Sequence, residues 1–143
     1  MLTKPILTLD DAKSIASAAE VEARTNSWNV AIAVVDDGGH LLYLQRSHDT
    51  QFGSVETAIM KANAAVAFKR PTKSSEDAVL SGRLIHLALP GVIPAEGGIP
   101  VLHEGTVIGG VGVSGVRSFQ DGQIAQAGVS NFSKTAKNID KTA

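Results

Sequence analysis

The sequence predicts an α+β fold, an antiparallel sheet flanked by helices in a single domain spanning residues 1–143. Three observations carry it. Helical and strand periodicities alternate as helix, two strands, helices, two strands, helix; each strand pair is joined by a short glycine turn; and no strand-helix-strand crossover repeats. Short turns make hairpins, and hairpins make antiparallel sheets.

The first helix is expected from Leu9 to Arg24. Thr8 precedes it as a hydroxyl cap with Asp11 three residues on, and Leu9, Ala12, Ile15, Ala16, Ala19 and Ala23 recur at helical spacing. That alanine face suits close packing, against a sheet or against another subunit. Asn29 to Val35 is short, β-branched and almost wholly apolar, which predicts a strand covered on both faces. Asp36-Asp37-Gly38-Gly39 turns it into a second strand, Leu41 to Arg46. After the polar loop Ser47-His48-Asp49-Thr50, Ser54 is expected to cap a helix through Phe68, with Val55, Ile59, Ala62 and Val66 as its buried stripe. Lys61 flanks that stripe and has two readings: its methylenes lie on apolar surface with the ammonium in water, or the cation turns into a pocket shared with Arg46. Pro71 stops the helix, and a shorter one is expected from Ser75 to about Leu89, closed by Pro90-Gly91.

Val92 to Pro100 reads as a loop with exposed N–H groups, because prolines and the Gly97-Gly98 pair constrain its turns. Val101 to His103 and Thr106 to Ser114 form a second hairpin around Glu104-Gly105. Its long strand is the unusual stretch of the chain: four of the nine residues in Val107 to Gly115 are glycine, a bare floor kept where a ligand or another backbone comes close. Ser118 to Asp121 repeats the hydroxyl-x-x-acid cap, and Ile124, Gly128, Phe132, Ala136 and Ile139 mark a terminal helix.

Composition excludes several classes of function. Thirteen basic and fourteen acidic residues leave a net charge of -1, so no field draws nucleic acid or an anionic membrane. Aromatics at 4% leave no base-stacking platform, and with no cysteine there is no disulfide or thiolate metal site. The N-terminus shows no apolar leader or membrane span, which makes the cytoplasm the expected compartment. Gly110-x-Gly112-x-x-Gly115 matches a dinucleotide fingerprint in letters, but too little chain follows for the second strand that such a site needs. Histidines 40, 48, 86 and 103 fit no zinc spacing. His86 lies in a helical pattern and reads as structural, whereas His40, His48 and His103 lie at strand ends or in loops, where one alone can serve as an axial ligand to haem iron. Ser114 lacks a nucleophile elbow and a nearby histidine.

Four stretches, VAIAVVDDGGHLLYLQR, SVETAIMKANAAVAFKRPTKSSEDAV, LPGVIPAEGGIPV and VIGGVGVSGVRSFQDGQIAQAG, together resemble the GlcG/HbpS family, also known as DUF336 or the haem-degrading-domain group and found as the C-terminal domain of PduO-type proteins. The likeness runs from about Leu7 to Gly128. It implies a profilin-like fold, self-assembly, and, as in some members, binding of haem or a corrinoid-related ligand. Family positions fall on Asp36, Arg46, Lys61, Ala62, Gly97, Gly98, Pro100, Gly112, Val113, Ser114, Gly115, Asp121 and Gly128. Two stretches depart from the family pattern: His48 stands where an acid is usual, and Asp121-Gly122 replaces a pair of acids.

The leading expectation is therefore a homo-oligomeric protein that binds a small ligand, with haem or another tetrapyrrole as the candidate cofactor. Its pocket is expected between Gly97-Gly98, the Gly112, Ser114 and Gly115 strand end, Arg46 and Lys61, where the cations hold carboxylates and the glycines admit the ligand. A second reading is a metal-free enzyme acting on a small organic acid, with Glu96 or Lys61 transferring the proton. A third makes the motifs a structural interface for assembly.

Overall fold

In the computed structural model, which describes the backbone of residues 1–142 and side chains through residue 136, four strands form one antiparallel sheet. Strands β1 (Ala31–Asp36), β2 (Leu41–Arg46), β3 (Gly98–His103) and β4 (Thr106–Ser114) stand in the order β2-β1-β4-β3. Helices α1 (Leu9–Thr25) and α4 (Ser118–Thr142) cover one face, and α2 (Gly53–Phe68) the other. A short helix α3 (Lys73–Leu80) and a 3-10 turn (Leu84–Leu87) connect α2 to β3.

Burial on both faces explains the apolar run of β1. Ile32 and Val34 face the α1/α4 core, whereas Ala31, Ala33 and Val35 face α2. The same alternation explains the glycines of β4. Val111 and Val113 fill the first core, while Gly110 and Gly112 lie under α2. A Cβ on Gly112 would stand 1.8 Å from the Ala58 carbonyl oxygen, and one on Gly110 2.6 Å from that of Ala62. The bare floor is therefore occupied by a helix backbone. Alanines at 58 and 62 complete the fit, since a larger side chain would lift α2 from the strand.

Thr8 and Asp11 form the reciprocal capping box, with Oγ1 accepting from the Asp11 N–H at 3.1 Å and the Asp11 carboxylate from the Thr8 N–H at 2.9 Å. The alanine face of α1 packs internally, where Gly128 lets α4 approach the Ile15 carbonyl. It is thus core and not a subunit contact.

Several boundaries depart from expectation. Helix α2 begins at Gly53, with no side-chain cap and Ser54 inside it. The helix expected from Ser75 to Leu89 breaks after Leu80, because Gly82 takes φ +97° and turns the chain. Strand β3 starts at Gly98, inside the expected loop. Its proline is tolerated because β3 is a sheet edge. The side chain of Ile139 lies outside the described residues.

Candidate functional site

Strand pairing gathers residues far apart in sequence at one end of the sheet. Ala31 pairs with Arg46 on one side and Ser114 on the other, so Arg46, Ala31 and Ser114 form a row. Arg46 donates through Nη1 to the carbonyls of Ser47, His48 and Thr50, at 3.2, 3.2 and 2.7 Å. The guanidinium thereby folds the 47–50 loop around itself. This loop, the end of α1 and the 27–30 turn enclose a cleft of about 710 Å³ lined by Arg24, Trp28, Gln45, Arg46 and His48 among others. Trp28 is half-buried against the core, and the exposed His48 ring lies 3.3 Å from the Asp49 carboxylate. Gly115, at φ +151°, lets the 114–116 turn press on Asn29 and Val30, which line the same cleft.

Lys61 lies elsewhere. Its ammonium is buried, donating to the Val113 carbonyl at 3.0 Å and to the Asp121 carboxylate at 3.1 Å, with both side chains only 3% exposed. It neither reaches water nor shares a cleft with Arg46. The other Asp121 oxygen accepts from the Val116 N–H at 3.1 Å. Burial pushes the Asp121 carboxyl up from 3.8 to about 6, although Lys61 and the N–H groups of Val116 and Gly115 pull it down. The expected cap at Ser118 to Asp121 is therefore replaced: the acid joins a core ion pair that ties α2, the end of β4 and the start of α4.

The Gly97-Gly98 pair belongs to this packing. A Cβ at Gly97 would lie 2.5 Å from the Val113 oxygen and 2.9 Å from Lys61 Nζ, and one at Gly98 2.2 Å from the Lys61 carbonyl. The Gly98 N–H, expected free, donates to Thr72 Oγ1 at 2.9 Å. Gly97, Gly98 and Gly112 thus lie against α2, Ser114 is buried at the strand end, and Gly115 borders the large cleft.

Glu96 lines a separate recess of about 310 Å³, with Pro71, Lys73, Ile99, Phe119, Gln123 and Gln126. Burial raises its carboxyl above the usual range, opposed first by Lys73. His40 and His103 lie at the opposite, hairpin-turn end of the sheet from Arg46. His40 Nδ1 is 3.1 Å from Asp36 Oδ1, which also accepts the N–H groups of Gly38 and His40 and so closes the turn. His86 is buried, its Nδ1 3.3 Å from Ser75 Oγ, a structural role as expected. Of the three histidines considered for an axial role, only His48 lines the large cleft. Two cleft residues, Arg24 and Trp28, escape motif reading because helix periodicity gives an exposed arginine no role and the tryptophan stands alone in a turn.

Comparison with known proteins agrees with this architecture. Protein GlcG of Escherichia coli K12 is 43% identical over 114 residues, 80% of this chain and 85% of its own. The crystal structure of the Klebsiella pneumoniae DUF336 protein ORFY superposes with a TM-score of 0.85 at 33% identity, covering 93% of this chain and 94% of that one. A structure described as a PduOC:heme complex matches with a TM-score of 0.78 at 32% identity, over 89% and 95% of the two chains. The family model for haem degrading protein HbpS-like matches residues 7–130, and the chain belongs to that family.

Proposed function

We propose that the protein binds haem or a related tetrapyrrole in the cleft between α1 and the end of β2. The observation that carries this reading is the grouping of Arg24, Trp28, Arg46 and His48 around one cavity of about 710 Å³. A tetrapyrrole needs a wide, partly apolar slot, cations for its propionates and an axial donor. The cleft offers Trp28 for the ring, two guanidiniums for the carboxylates and one imidazole. The haem complex of PduOC supports the chemistry in a relative of the same fold. Arg46 also holds its own loop, so it keeps the His48 backbone in place while facing the cleft. When bound, haem supplies an iron that takes a nitrogen ligand. The chain's residues supply binding and orientation. We place the protein in the cytoplasm on its sequence.

Haemin titration of the full chain tests the proposal. Saturable binding with a sharp Soret shift is expected, with Arg24→Gln weakening it by about 1–3 kcal/mol and melting unchanged, because the Arg24 pair with Glu20, at 2.9 Å on the same helix, is exposed and adds little to stability. His48→Ala is expected to change the Soret position. Featureless, non-saturating binding overturns the haem reading, and an unchanged spectrum in His48→Ala removes that histidine as ligand.

We further propose that the protein self-associates through the arm between α3 and β3. Leu80, Leu84, Ile85, Leu87 and Leu89 all expose their side chains there, whereas the alanine-rich faces expected to mediate association are buried inside the fold. Five exposed large apolar side chains within ten residues of chain favour a second copy of the chain as their cover.

A further inference from the structure

One carboxylate, that of Glu96, lines the smaller recess. Glu96 is half-buried, and its carboxylate rests against Gly122, where a Cβ would meet Oε2 at 2.1 Å. The hydrogen bond it makes is through its backbone N–H, to Glu76 Oε1 at 3.4 Å. Lys73, the neighbouring cation, is engaged by Asp77 at 2.7 Å across one helical turn. Among the described residues, then, the Glu96 carboxylate has no hydrogen-bonded or ion-paired partner. Half-buried and facing the recess, the carboxylate keeps its lone pairs for water or for an incoming donor. Glycine at position 122 is what makes the arrangement possible, since any side chain there would expel the carboxylate from its seat.

The surroundings select the donor. Gln123 and Gln126 add carboxamides that accept as well as donate, and Pro71, Ile99 and Phe119 give an apolar wall. The charges acting on Glu96 from α3 are Lys73, Glu76 and Asp77, and from α2 Lys61, which is already paired with Asp121. Lys73 lines the recess and offsets part of the Glu96 charge, but both lysines already hold a carboxylate, so an anion would find no unpaired cation there. We propose that this recess is a binding site for a small primary ammonium compound with a short apolar body. Glu96 takes the ammonium, the glutamine oxygens share it, and the body lies on Ile99 and Phe119. The cavity of about 310 Å³ suits a ligand of only a few heavy atoms and is independent of the tetrapyrrole cleft.

Amide-resolved NMR of the full chain tests this with n-butylammonium as probe and butyrate as its anionic counterpart. Saturable shifts confined to Phe119, Gln123, Gln126 and their neighbours are expected with n-butylammonium, and none with butyrate. Glu96→Gln, which keeps the shape and removes the charge, is expected to weaken binding at least tenfold. Gly122→Ala is expected to do the same by displacing the carboxylate, with the rest of the spectrum native. No saturable shift with n-butylammonium, an equal response to butyrate, or full affinity in Glu96→Gln overturns the proposal. Because the two probes are compared on the native chain, the test holds even if a variant fails to fold.

Discussion

Lys61 and Asp121 face each other across sixty residues of sequence with almost no water between them. Burying a charge pair is tolerable only while both partners are present, and removing one leaves an uncompensated charge. Lys61→Met is therefore expected to cost about 3 kcal/mol or more at pH 7. The loss should shrink near pH 5, where Asp121 goes neutral and needs no counter-charge. Burial holds the Asp121 carboxyl at about 6, above its ordinary 3.8, so between those values the folded form carries a proton that the unfolded form lacks. Stability from this group is complete below about pH 4 and is lost as pH rises through about 6. Denaturant unfolding of the native chain and Asp121→Asn across that window checks the sign: the native chain's stability relative to the variant should fall as pH rises. A flat or rising difference contradicts it.

At the level of elements, the close seating of α2 on β4 decides which glycines matter. Gly112→Ala drives a methyl into the Ala58 carbonyl, and a cost of about 3 kcal/mol or more is expected, at the upper end of overpacking penalties. Gly53→Ala, at the open start of the same helix with nothing within 4 Å, should be neutral or stabilising by up to about 1 kcal/mol. Thermal melting of the pair separates a packing glycine from a permissive one. This element also marks how far the sequence can be read. The capping box at Thr8, the two hairpins and the doubly covered β1 were legible because each rests on local spacing. The glycines announced a close approach, but whether a ligand or a helix makes it depends on which face α2 takes, and that is a tertiary fact. For the same reason Asp121 reads as a helix cap, since its partner is invisible from local pattern. In the candidate site, Arg46 and His48 were legible as neighbours in one loop. Their grouping with Arg24 and Trp28 required the first helix to be folded back beside β2.

For the molecule as a whole, the arm carrying Leu84 and Ile85 is expected to set the assembly state. Light scattering should give a mass above the monomer for the native chain at micromolar concentration. Leu84→Glu with Ile85→Glu should give a monomer with unchanged circular dichroism, because both side chains are more than half exposed. A monomeric native chain contradicts this. The β3 edge adds a constraint on the form such an assembly takes. Gly97 accepts from the Val113 N–H, so alternation along the ladder turns Gly98 and Pro100 outward. Thr72 already occupies both the N–H and the carbonyl of Gly98, and proline has no N–H to offer. An incoming strand would find no continuous ladder along that margin. Copies of this protein are therefore barred from joining β3 to β3 into a longer sheet, and a growing assembly of them would close by side-chain contact instead of propagating as a ribbon.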